Sequence, residues 1–314
     1  MNAAALESRY IAPMLEVMRS SVNTWDCDNM GHMNVRHYSA RAADGLTRLA
    51  MELGLGPRKL AEEGLTVRAT GQHLRFHREM RPSASFRLRA GVLEAGENVL
   101  RVYEEMRLVG DDVLVATIVT DAVLVESSTF RRVPWSKDAV MRAQKLVTTL
   151  PEHGAPRGLA AAPPRSPPPS YDEARGLVGA YLGPITREDC DAQGFMLESA
   201  YLARVSDGMP HFFRSLRGGG ESPVGIGGAA LEYRFAYHGR PRLGDLIEMR
   251  VGLKAVARKT IQFCHWIFDM ESARCVSTSE AVAVSLDLST RKSIDFSDEA
   301  RALLEAHVVP RLAM

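Results

Sequence analysis

The sequence predicts an α+β protein built from two tandem domains, each an antiparallel sheet wrapped around one long helix. Three observations lead there: a polar motif that occurs twice, a helical apolar pattern after each copy, and alternating apolar runs that follow in both halves. The motif reads WDCDNMGHMNVRHY from Trp25 to Tyr38 and DCDAQGFMLESAY from Asp189 to Tyr201. Laid over each other at an offset of 163, residues 26–45 and 189–208 agree at ten of twenty positions. Chance would give about one in twenty, so the chain carries an internal repeat.

The repeat continues downstream. RFHREMRP, from Arg75 to Pro82, matches RFAYHGRP, from Arg234 to Pro241, and WSKDA at Trp135 matches FSDEA at Phe296. Small changes in offset between these matches are loop-length changes. Between the copies lies AAAPPRSPPPS, residues 160–170, a proline-rich stretch expected to be extended and exposed. The expected division is an N-terminal domain at 1–158, a linker at 159–176 and a C-terminal domain at 177–314, with each domain of ordinary size.

Each half reads in the same order. EVMRSSVNT, ahead of the first motif, has the look of a strand. After the motif, Tyr38, Ala42, Leu46, Leu49, Ala50 and Leu53 recur at helical spacing, as do Tyr201, Val205, Met209, Phe212, Phe213 and Leu216 in the second half. Gly45 and Gly208 fall inside these helices, where glycine costs about 1 kcal/mol against alanine; close packing against a neighbouring backbone is the expected reason. VLRVYEEMRL, VLVATIVTDAVLV, TIQFCHWIF and EAVAVSLDL alternate as half-buried antiparallel strands do. One long helix in a β-α-β-β-β-β order implies a sheet curved around it.

Composition narrows the function. A net charge of +1, with no basic run, gives no reason to expect nucleic acid. No apolar run approaches the roughly 18 residues of a membrane helix, and the N-terminus has acids where a signal peptide would be basic. Four cysteines with no C-x-x-C pair fit reduced thiols in a cytoplasm. RGGGESPVGIGG lacks the context and ending of a nucleotide loop and reads as a flexible loop. No G-x-S-x-G is present, which argues against an α/β serine hydrolase. His32 and His37 lie off one helix face, and no acid–histidine set has zinc spacing; neither metal nor cofactor is expected.

The chemistry concentrates in the first motif. Its last residues open the helix, whose free amides carry about half a positive charge and can stabilise an oxyanion. Asp28 stands seven residues before Val35, near enough for its carboxylate to face that point. Carboxylate plus oxyanion site suffices for acyl transfer to water, with the acid as nucleophile or as general base. Gly31 permits a tight turn. Asp28 can also merely cap the loop, His32 can be structural, and Asn34 is a plausible helix cap. Cys27 is a poor nucleophile because flanking carboxylates disfavour its thiolate. Asp44 either reaches the site or pairs with Arg41 on the helix surface. His73, on a strand, is a candidate base or a core histidine.

D-x-D-x-x-G-H-x-N-x-x-x-Y, in DCDNMGHMNVRHY, resembles the signature of hotdog-fold acyl-CoA thioesterases related to 4-hydroxybenzoyl-CoA thioesterase. The resemblance implies two tandem hotdog domains forming an intramolecular pseudo-dimer, with a site where the halves meet. It places the catalytic acid at Asp28. By likeness to acyl-ACP thioesterases it adds His32 and Asn34. It also implies a strand glutamate in an L-E-Y-R context, which falls on Glu232, with His73 at the matched position of the first half. The implied substrate is an acyl-CoA, with Gly31, Val35, Asp44, His73 and Glu232 as candidate binding residues. The resemblance also allows pairs to associate further into homo-oligomers.

The second copy keeps Asp191 and Gly194 but has Phe195 for His32 and Leu197 for Asn34. Those replacements are expected to make the surroundings of Asp191 apolar and to leave one working site, at Asp28. Three rival functions remain, one of them an acyl-ACP thioesterase, which the same resemblance allows. A non-catalytic acyl-CoA-binding protein would require the first site to have decayed too, against an intact His32 and Asn34. A hotdog hydratase would typically show D-x-N-P-x-H, which is absent here.

Overall fold

The computed structural model describes residues 14–220 and 224–314. The N-terminal segment read for a targeting signal therefore lies outside the described residues. The first half runs β1 (Leu15–Ser21), α1 (Val35–Glu52), α2 (Pro57–Glu62), β2 (Leu65–Phe76), β3 (Ser85–Ala95), β4 (Leu100–Leu108), β5 (Leu114–Glu126), β6 (Arg132–Val133) and α3 (Lys137–Gln144). The second repeats the plan as β7 (Val178–Pro184), α4 (Glu198–Leu216), β8 (Ile226–Tyr237), β9 (Leu246–Val256), β10 (Thr260–Asp269), β11 (Cys275–Asp287) and α5 (Asp298–Glu305).

All these strands form one antiparallel sheet in the order β1-β3-β4-β5-β2-β8-β11-β10-β9-β7, with β6 alongside β5. The halves join at β2 and β8, where Leu74 faces Tyr233. These two residues are matched positions of the repeat, so the pseudo-two-fold axis passes between them. Joining the halves there pairs an edge that each sheet alone would leave open. Helices α1 and α4 pack against each other on one face of the sheet. Alternation along each strand sends Leu74, Phe235 and Phe263 to this inner face, within the main core. Cys264, Trp266 and Phe268 turn to the outer face and pack with Ala174, Leu177 and the chain end at Leu312 and Met314.

The connection between the halves is exposed at residues 160–163 and anchored by buried Leu159, Pro169 and Ala174. Among the described residues no helix is long and apolar enough to cross a membrane. Part of RGGGESPVGIGG lies outside the described residues, and Gly227 and Gly228 belong to β8 rather than to a loop.

The two helix glycines have different reasons. A Cβ on Gly208 would lie 3.2 Å from the Ala180 carbonyl oxygen of β7 and closer still to Met249, the close backbone approach expected. A Cβ on Gly45 would instead meet side chains, 2.6 Å from Glu104 Oε1 and 2.8 Å from Leu88 Cδ2. Glu104 is completely buried, and among the described residues neither carboxyl oxygen has a hydrogen-bond partner. Burial pushes its pKa well above the usual range, so it is held neutral. A raised folded pKa favours folding below the unfolded value of about 4.3 and loses that contribution as pH rises toward the folded value. Glu104→Met should therefore raise the melting temperature, and by more near pH 8 than near pH 5. Thermal unfolding at the two pH values checks this; equal gains would contradict it.

Candidate active site

The motif is shaped by backbone bonds before any chemistry. Asn23 N–H donates to Asp26 Oδ2 at 2.9 Å, closing a short 3₁₀ turn, and Asn34 N–H donates to the Asp26 carbonyl at 2.8 Å. Asp26 is buried and 3.6 Å from His37 Nδ1. The first acid of D-x-D thus ties the loop to the start of α1. Asp28 and His32 then bracket a tight turn: Asp28 N–H donates to the His32 carbonyl, and Gly31 N–H to the Asp28 carbonyl, both at 3.0 Å. Gly31 has φ +76° with nothing near its missing Cβ. It is kept for the left-handed backbone rather than for space.

That turn presents Asp28, His32, Asn34 and Val35 to a single cavity of ≈ 1400 Å³. Asp28 Oδ1 accepts from Met30 N–H at 2.9 Å, and Oδ2 lies 3.4 Å from His32 Nδ1. His32 Nε2 is buried without a hydrogen-bond partner among the described residues, 3.5 Å from Glu79 Oε1. Asn34 caps α1, its Oδ1 accepting from Arg36 N–H at 3.0 Å, while its carbonyl takes His37 N–H. Among the described residues no hydrogen bond is made to the Val35 amide. It is left as a free donor at the positive end of an 18-residue helix. Burial, reinforced by the Asp26 and Asp28 carboxylates, pushes the Cys27 thiol up, so the thiol is not activated.

The rest of the cavity is shared: Tyr38, Phe76, Met80 and Leu108 of the first half line it, and the second half supplies the remaining walls. Its walls include Met209 and Phe213 of α4, Ile261 and Phe263 of β10, and Ala283 of β11. Pro210, inside α4, also lines it; lacking an N–H, it leaves the Ser206 carbonyl without its helical partner. The cavity is larger than the roughly 300–1,000 Å³ typical of small-molecule sites. A carboxylate from the first half stands at a mainly apolar chamber lined by both halves.

Three expected binding residues lie elsewhere. Asp44 pairs with Arg41 at 3.5 Å on the exposed surface of α1, so the helix-surface reading applies. His73 and Glu232 meet each other, Nε2 to Oε1, at 2.6 Å. Gln72, next along β2, bonds Ser39 of α1, so His73 points to the opposite, outer face of the sheet. There Glu232 also accepts from the amides of Arg157 and Gly158, at 3.0 and 2.7 Å. Burial opposes ionisation of Glu232, but the bonds from His73 and the two amides outweigh it and hold its carboxyl below the usual range. This pair fastens the connecting segment to the junction of the halves and does not face Asp28.

The second copy of the motif has the same turn, but its surroundings differ from the apolar ones expected. Asp191 is bound by Arg68 of β2. Arg68 lies 3.4 Å from Glu198, which lies 3.1 Å from Arg240. Both guanidinium groups lie over Phe130, whose ring stands 4.2 Å from that of Phe195. Charge pairs and edge-to-face rings occupy the place of the first half's opening. Sequence reasoning overlooked Arg68, and it also overlooked Glu79, Gly227 and Arg291 around the first site. Only pairing the two repeats residue by residue beyond the motif would have picked them out.

Both halves match the Thioesterase-like superfamily, over residues 22–144 and 185–304, and the chain belongs to that family. The fold is that of two tandem hotdog domains. No curated protein sequence matches the chain. Among solved structures it is similar to a protein named oleoyl thioesterase from Lactobacillus plantarum, with TM-score 0.65 and 14% identity, covering 86% of this chain and 95% of that one. An acyl-ACP thioesterase from Bacteroides thetaiotaomicron follows at TM-score 0.62 and 12% identity, covering 85% and 96%. The 12:0-ACP thioesterase from Umbellularia californica gives TM-score 0.62 and 10% identity, covering 85% and 93%. At these identities the likeness is one of fold.

Proposed function

We propose that the protein is an acyl-CoA thioesterase with one working site per chain, at Asp28. The observation that carries this reading is the asymmetry of the repeat. Asp28 faces a large cavity beside His32 and a free helix amide, while Asp191 is locked by Arg68. The acyl chain lies in the apolar chamber against the walls that the second half supplies, and its thioester carbonyl meets the first turn of α1. Asp28 either takes a proton from the attacking water, or attacks the carbonyl itself to give an anhydride that water opens. In both routes the oxyanion forms against the Val35 amide and the C–S bond breaks; in the first the proton taken from water passes to the leaving thiolate, and in the second the thiolate gains its proton from the water that opens the anhydride. His32, within 3.4 Å of Asp28, is placed to relay that proton.

Release of free thiol from a panel of acyl-CoAs tests the reading: hydrolysis of at least one is expected, and none would overturn it. Asp191→Asn should leave turnover close to wild type. Because it breaks a buried pair and leaves Arg68 one acceptor short, it should lower stability by about 1–3 kcal/mol. Hydrolysis rates and thermal unfolding of the same sample check both halves of that expectation. A large fall in turnover with the fold intact would mean that the second site works.

A further inference from the structure

Arg291 follows β11 in the second half with φ +55°, and its match in the first half, Phe130, has φ +59°. The two residues hold the same place in two copies of one turn, yet one is a cation and the other a ring. Arg291 Nη2 donates to the Met30 carbonyl, inside the motif turn, at 2.6 Å. Its Nη1 lies 3.7 Å from Glu79 Oε1, the atom that stands 3.5 Å from His32 Nε2. Both Arg291 Nη1 and His32 Nε2 are buried without hydrogen-bond partners among the described residues. A chain Asp28–His32–Glu79–Arg291 thus crosses from one half to the other.

Gly227 makes the second contrast. It lies on β8 at the position matched by Arg68 on β2, opposite Leu286 as Arg68 is opposite Val123. Gly227 lines the cavity, and a Cβ there would lie 2.7 Å from Met30 Cε and 2.6 Å from Leu288 Cδ2. Those atoms are side-chain ends that can move. Arg68, at the matched position, reaches across and binds Asp191.

We propose that the second half completes the first site through these two residues: Arg291 positions His32 by holding Glu79 and the motif turn, and Gly227 keeps the approach to Asp28 open. The inference rests on the hydrolase reading above. Without Arg291, Glu79 loses the cation that the second half sets beside it and is free to draw His32 away from Asp28. With arginine at 227, Asp28 acquires the clamp that occupies Asp191. A second copy of the first half would bring Arg68 and Phe130 to these places, so the two halves are not interchangeable.

The test compares Arg291→Met, Arg291→Lys, Gly227→Arg and Asp28→Asn in one thioester-hydrolysis assay, with thermal unfolding of each. Arg291→Met should lower kcat about 10-fold or more with little change in KM, as misplacement of a reacting group does. Arg291→Lys, which keeps the charge beside Glu79, should recover part of the loss. Gly227→Arg should lower kcat/KM about 100-fold or more while the melting temperature stays near wild type. If Asp28→Asn is inactive but Arg291→Met and Gly227→Arg behave as wild type, the inference fails and the hydrolase reading stands. Wild-type rates in Asp28→Asn would remove the reading and the inference together.

Discussion

Asp28→Asn should reduce thioester hydrolysis about 100-fold or more while leaving the fold intact. The amide is nearly the same shape as the carboxylate and can still accept from Met30 N–H, the bond that now holds Oδ1. It can neither attack a carbonyl nor take a proton from water. The loss should therefore fall on kcat, with KM little changed, since the substitution leaves the apolar walls of the cavity untouched. Steady-state kinetics and a melting curve separate this from unfolding. Activity within a few-fold of wild type would remove Asp28 from the chemistry.

Ala283→Phe should reduce kcat/KM for long acyl chains about 10-fold or more, with short chains affected far less. Ala283 lies on β11, lines the cavity and is only partly buried, so a ring there projects into space rather than into packed core. The substitution sits in the second half, on a strand that carries none of the proposed catalytic groups. A selective loss of long substrates would place the acyl chain in the opposite half from Asp28. Equal loss for all chain lengths, or no loss, would mean that the chain runs elsewhere. Rates over a series of straight-chain acyl-CoAs distinguish these outcomes.

Much of the fold was legible because its signals are local. The helical spacing from Tyr38 to Leu53 corresponds to α1, which ends one residue earlier, and the alternating runs became β4, β5, β10 and β11. The repeat made the two halves copies of one plan before any contact was known. The motif turn was legible too, since Gly31 and the residues around it act within a few positions of one another. What could not be read was which residues meet across the β2–β8 junction. The pairing of Leu74 with Tyr233 decides that Gly227 faces the first motif and Arg68 the second, and no local pattern encodes it.

His73 and Glu232 were misplaced for a related reason. Strand alternation tells that each lies off the face of its neighbour, Leu74 or Tyr233, but not which face carries the helices. Family likeness then favoured the site. Phe195 and Leu197 alone give the second motif an apolar look. The partners that occupy it, Arg68 and Arg240, come from β2 and from the turn after β8, far from that motif in sequence.

The most direct test of a single working site is a calorimetric titration with a non-hydrolysable thioether analogue of an acyl-pantetheine. That arm is common to coenzyme A and acyl carrier protein, so the result does not depend on which carries the acyl group. One analogue bound per chain is expected, with the same stoichiometry in Asp191→Asn; two bound per chain would contradict a second site filled by Arg68.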